Sequence, residues 1–317
     1  MVPAARRHGN PIDRARLTSS PWYGAGVFVA LTACLSAIFW TLIIATGTTN
    51  RLYIGGLMWM PAIAAMLSCR LLGRPLTILG WRWNGRFAVI AYLIPVAYCL
   101  AGLVLIVVVG LGGFPDTAYL HQAARSFGFG PIPDGAAVAL LVALQGSAGM
   151  IYSVATAAGE ELGWRGFLVP ELARKLSFTP VAVLSGLVWA TWHYPVFALL
   201  FPPGNGVPMW FSLPTFTSAA VAVSFAQAWL RLRTDSVWPP IVLHASHNVW
   251  MQAICTPLII EKPSTKWVAG EPGLVFVALS ALVAAVFWAK RKELTEPKAA
   301  SSSPIQTGID DDGRRSE

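Results

Sequence analysis

Eight apolar stretches leave this chain few folds to choose from: about 23–46, 53–69, 87–110, 138–160, 179–200, 212–230, 238–258 and 272–289. They are long and continuous rather than alternating, the pattern of membrane-spanning helices and not of barrel strands. The expected fold is all-α, a polytopic membrane bundle of about eight transmembrane helices with the second one short. Only 12% of residues are charged, against about 25% in soluble domains. Cys34, Cys69, Cys99 and Cys255 are scattered with no C-x-x-C pair. They read as small apolar helix residues, not as a disulfide framework or a metal site.

The net charge of +8 raises the question of nucleic acid, and its distribution answers it. Basic residues fill alternate connections and both tails. The N-terminal tail holds Arg6, Arg7, Arg14 and Arg16, and the second connection Arg70, Arg74, Arg82 and Arg86. Arg165, Arg174 and Lys175 lie around the fourth, Arg231 and Arg233 in the sixth, and Lys290, Arg291, Lys292, Lys298, Arg314 and Arg315 at the C-terminus. The other side has only Arg51, Arg125, Lys262 and Lys266 of the 23 basic residues. By the positive-inside rule both termini are expected in the cytoplasm and the helix number is even. The basic excess is topological, and no nucleic-acid partner is implied.

Five regions follow. Residues 1–20 form a basic cytoplasmic tail, and 21–135 carry the first three spans and an outer loop. Residues 136–260 form the core in which the polar motifs fall, 261–292 the last span, and 293–317 a Ser-rich, charged tail expected to be disordered. The first span outlasts a signal-peptide core and is expected to remain in the mature protein. Trp81-Arg82-Trp83 looks like an interfacial anchor. The loop 111–137 has room for a short surface helix. No internal repeat is evident.

Three polar constellations interrupt the apolar core. The first is Glu160-Glu161-x-x-x-Arg165. On a helix Glu161 and Arg165 share a face four residues apart, acid before base. Glu160 is rotated about 100° away, which leaves it free to face a cavity as a general base while Arg165 holds Glu161 as a structural carboxylate. The second is Trp189-x-x-x-His193, with Pro195 expected to kink the helix just past the histidine. The third is His244-x-x-x-Asn248, in a helix opened by Pro239-Pro240, with His247 nearby. An antiparallel turn near 175–178 brings Glu160 and His193 to one depth, and the seventh span starts at the same face. A shared cavity in the cytoplasmic half is the expectation.

This ordered set resembles the CAAX-prenyl-protease and bacteriocin-processing (Abi, CPBP) family of intramembrane proteases over roughly residues 140–255. Trp189 stands where that family more often has phenylalanine. The resemblance implies a helix bundle with a water-filled, cytoplasm-facing cavity and endopeptidase activity near the C-terminus of membrane-associated substrates. It implies catalytic roles for Glu160, His193, His244 and Asn248, with Glu161 and Arg165 supporting.

The expected chemistry is hydrolysis by an activated water: Glu160, helped by His193, takes the proton, while His244 and Asn248 donate to the oxyanion. Ser153 and Ser246 lack the partners of a triad. A second version makes Glu160, His193 and His244 ligands of Zn2+ or another divalent metal. With no H-E-x-x-H motif, spacing does not choose between them. The expected partners are membrane lipids and a peptide or protein substrate, lipid-modified or otherwise membrane-associated, entering from the membrane or cytoplasmic side. Compact loops and basic tails suggest a bacterial plasma membrane. Two rivals are a proton-coupled transporter, disfavoured by the absence of repeats, and a catalytically silent scaffold, disfavoured because every motif residue is present.

Overall fold

The computed structural model describes residues 20–200 and 207–294; the tails before and after these, including the stretch expected to be disordered, lie outside the described residues. The eight apolar stretches each fall on a helix. They are α1 (Pro21–Thr46), α2 (Arg51–Leu71) and α3 (Gly85–Val108), then, after the surface helix α4 (Thr117–Ser126), α5 (Asp134–Ala173) and α6 (Phe178–Leu200). The rest are α7 (Met209–Thr234), α8 (Trp238–His247, wound on as a π-helix through Asn248–Cys255) and α9 (Leu274–Ala289). Six of these helices are long and apolar enough to cross a membrane by length and composition. The chain is a multi-pass integral membrane protein built as a helical bundle.

Local chemistry sets the helix ends. Gly47, at φ 62°, terminates α1 in the left-handed region, where a residue without Cβ is unstrained. Asn50 then caps α2, its side chain accepting from the Tyr53 N–H at 2.9 Å. Asp116 does the same for α4 at Tyr119, and Pro239 and Pro240 occupy the first turn of α8. The outer loop does contain a short helix, α4. It is fastened by Tyr119, whose hydroxyl donates to the Ala253 carbonyl at 3.1 Å. An isolated antiparallel bridge joins Gly113 to Ile260, tying the third connection to the seventh.

Helix α2 packs between α1 and α5, α6 lies against α7, α8 sits between α3 and α5, and α9 covers α7 and α3. Between lipid-soluble helices the hydrophobic effect supplies little attraction, so close backbone approach matters more. Gly159 and Gly163 provide it: a Cβ at Gly159 would stand 2.6 Å from the Met58 carbonyl oxygen, and one at Gly163 2.5 Å from Pro61 Cβ. These two glycines frame Glu160-Glu161-Leu162, so the contact that docks α5 on α2 also fixes the two carboxylates.

Helix α6 has the extent read from sequence, Phe178–Leu200, with Pro195 inside it. One expectation changes in detail. The segment after the carboxylates is helical, as expected, but winds as a π-helix over Leu162–Leu168. Such wide turns recur at functional sites, where they re-aim side chains without ending the helix.

Candidate active site

The two adjacent carboxylates face different surroundings. Glu160 is buried and lines a cavity of about 450 Å³. Its Oε2 accepts the indole N–H of Trp189 at 2.7 Å. Glu161 lies behind the cavity wall. Its Oε1 accepts from Arg165 Nη1 at 2.8 Å and Gln227 Nε2 at 3.2 Å, and stands 2.9 Å from His244 Nδ1. Arg165 is fully buried; its Nη2 donates to Ser224 Oγ at 2.8 Å and its guanidinium lies 4.8 Å from the Trp189 ring centroid. Desolvated charges are stable only when paired and hydrogen-bonded in this way. The i,i+4 pair predicted from sequence survives the π-turn.

His193 is half-buried and its Nδ1 lies 2.9 Å from the Trp189 carbonyl oxygen. A carbonyl only accepts, so Nδ1 carries the proton in that bond and Nε2 is the nitrogen left for the cavity. His244 has Nδ1 committed to Glu161 in the same manner. Trp189 connects the two histidines: its ring centroid is 5.7 Å from that of His193 and 5.5 Å from that of His244. Glu160, His193, His244 and Asn248 all line the one cavity, whose remaining wall is mostly apolar and includes Phe197, Phe216, Met251 and Phe276. The predicted convergence is present; Glu161 and Arg165 take their places behind His244.

His247 is more than a spare imidazole. Its Nδ1 is 2.8 Å from the Tyr98 hydroxyl, its Nε2 is 3.2 Å from Glu271 Oε1, and its ring stacks on Phe276. Glu271 also accepts from Gln252 Nε2 at 2.6 Å. Burial pushes the Glu271 carboxyl up, but hydrogen bonds from His247 and Gln252 and the nearby imidazoles outweigh it and bring it down to about 2. Tyr98 and Glu271 both lie outside 136–260, so the first three spans are not without a part: Ile54, Leu57 and Met58 of α2 line the cavity and α3 supplies Tyr98. Sequence reasoning missed Tyr98, Ser224, Gln227 and Glu271. Gln227, the one amide in its apolar span, was the readable signal among them.

The motif residues lie in the half of the bundle expected for them, and the cavity's exposed lining lies towards the other end. His244 and Gln227, at its deepest end, lie six and seven residues from the basic ends of α8 and α7, about 10 Å. That end is closed. Arg231 Nη2 donates to the Ile78 carbonyl at 2.7 Å, the Val237 N–H donates to the Gly80 carbonyl at 2.9 Å, and Leu79 is fully buried beneath them. From there the lining runs through half-buried His193 and Asn248 to Gln252 and Thr49, both exposed, and to Glu271. The opening is at the end carrying the first and seventh connections, opposite the basic ones.

Glu160, His193 and His244 share the cavity, yet among the described residues no group of three or more His, Cys, Asp or Glu side chains is gathered so as to hold a metal ion. Trp189 and Glu161 engage one Glu160 oxygen and one nitrogen of each ring, which leaves Glu160 Oε1 and the two Nε2 atoms uncommitted. No step below is routed through a metal.

Residues 142–250 match the family model for type II CAAX prenyl endopeptidase Rce1-like proteins. The chain is also 25% identical over 197 residues to a CAAX prenyl protease 2 of Methanococcus maripaludis, covering 60% of this chain and 64% of that relative. The alignment thus spans slightly under two thirds of the relative's length. Both comparisons are likenesses to CAAX proteases over part of the chain.

Proposed function

On the footing that residues 142–250 carry an Rce1-like domain of the CAAX-protease/CPBP family, we propose that this chain is an intramembrane endopeptidase that hydrolyses a peptide bond in a membrane-associated polypeptide with a water activated by Glu160. The observation that carries the reading is the shared cavity, which Glu160, His193, His244 and Asn248 line from three helices.

Glu160 Oε2 is held by the Trp189 N–H, which leaves Oε1 to take a proton from water. As that water's oxygen bonds to the scissile carbonyl carbon, negative charge moves to the carbonyl oxygen. The His244 ring, steered through Nδ1 by Glu161, has Nε2 to donate there when protonated, and the Asn248 amide is a second donor. Fixed donors aimed at developing charge are worth about 3–4 kcal/mol each. The C–N bond then breaks and the proton on Glu160 passes to the leaving amine, directly or through His193 Nε2. Glu161 and Arg165 position; they do not touch the reacting atoms.

Trapping tests this. The Glu160→Ala chain, cross-linked in native membranes, is expected to retain peptides that the native chain releases as two fragments, identifiable by mass spectrometry. Coupled solute uptake into proteoliposomes with no cleavage would contradict the reading, as would a phenotype unchanged by Glu160→Gln.

A further inference from the structure

We infer that the reaction chamber opens on the extracytoplasmic side of the membrane. Given the proposed endopeptidase reading, on which this part alone rests, its substrates are then membrane-anchored polypeptides whose cleaved segment is presented from outside the cytoplasm.

Two independent observations combine. The first is geometric. At one end the second connection folds across the bundle, with its 3-10 turn Leu76–Leu79 held by Arg231 and by the Val237 N–H, over buried Leu79, Trp164 and Leu230. At the other end the cavity wall includes exposed Thr49 and Gln252 and half-buried Glu271. Among the described residues, the exposed polar part of the lining is at that end.

The second is charge. Arg70, Arg74, Arg82 and Arg86 border the closed end, as do Arg174 and Lys175, even with Arg165 set aside as buried within the bundle. The open end has Arg51, Arg125, Lys262 and Lys266, balanced by Asp116, Asp134, Glu261 and Glu271. Short connections rich in Lys and Arg stay in the cytoplasm. The closed end is therefore the cytoplasmic one. A carboxylate at the mouth and an apolar wall behind it suit an apolar segment with a basic or neutral flank better than an acidic one.

The test is labelling with a membrane-impermeant maleimide in intact cells carrying the chain in their plasma membrane, the native chain serving as blank. Thr49→Cys and Gln252→Cys are expected to label to the same extent before and after permeabilisation, and Lys175→Cys only after it. Any failure of Gln252→Cys to label from outside, or labelling of Lys175→Cys there, overturns the inference. A reporter enzyme active only when exported, fused after Glu317 of the otherwise native chain, is expected to be inactive. An active fusion overturns the inference without relying on any substitution. All of this reads out equally in a Glu160→Gln background, so loss of the protease reading and loss of the sidedness are told apart.

Discussion

His244 Nδ1 lies 2.9 Å from Glu161 Oε1, across 83 positions of sequence and between two helices. Glu161 is thereby shared by an arginine on its own helix, a glutamine on α7 and the imidazole of α8. The carboxylate that does not face the cavity is the one that organises it.

That division of labour separates two otherwise similar substitutions. Glu161→Gln leaves Arg165 buried without its counter-charge, a change that costs about 3–5 kcal/mol, so thermal unfolding in detergent is expected at a clearly lower temperature. Glu160→Gln keeps an oxygen for the Trp189 N–H and is expected to unfold close to the native midpoint while cleavage falls by roughly 10²–10⁴-fold.

Trp189 has a role that its aromatic character alone does not reveal. Phenylalanine fills the space but lacks the N–H that donates to Glu160. A hydrogen bond to a charged group is worth about 1.5–3 kcal/mol. Trp189→Phe is therefore expected to slow cleavage by roughly tenfold or more. An unchanged rate would remove Trp189 from the account.

The α2–α5 contact tolerates no side chain at Gly159, where a Cβ would meet the backbone of Met58 and Trp59. Gly159→Leu is expected to lower stability by about 1–3 kcal/mol or more and to abolish cleavage. Gly26→Leu, on α1 where a Cβ meets nothing within 4 Å, is the control and should do neither.

Glu271 makes stability depend on pH in a definite direction. Its carboxyl is depressed from 4.5 to about 2, so the folded state holds fewer protons than the unfolded one between those values. The contribution is complete above about pH 4.5 and is lost as pH falls towards 2. Unfolding temperature across that window should drop more steeply for the native chain than for Glu271→Gln.

The helical bundle and the convergence of Glu160, His193, His244 and Asn248 were legible in the sequence, because apolar length and i,i+4 spacing are local properties. The end of the bundle that is closed was not. Depth along a helix places a residue but does not show that residues 76–80 fold across one end of the bundle. Tyr98 and Glu271 were invisible for a related reason: each becomes significant only through His247, a contact made across 149 positions in one case and 24 in the other. Gly159 and Gly163 were readable as a small-x-x-x-small pair. The carboxylates between them drew the attention.

The account stands on Glu160 and His244 acting together on one scissile bond in one chamber. Cleavage rates for Glu160→Gln, His244→Ala and the double variant, in proteoliposomes with a trapped peptide as substrate, test that directly. Residues acting as a unit lose activity non-additively, so the double variant is expected within about tenfold of the slower single one. Losses that multiply would show the two side chains working apart, and the shared chamber would not be the site of the chemistry.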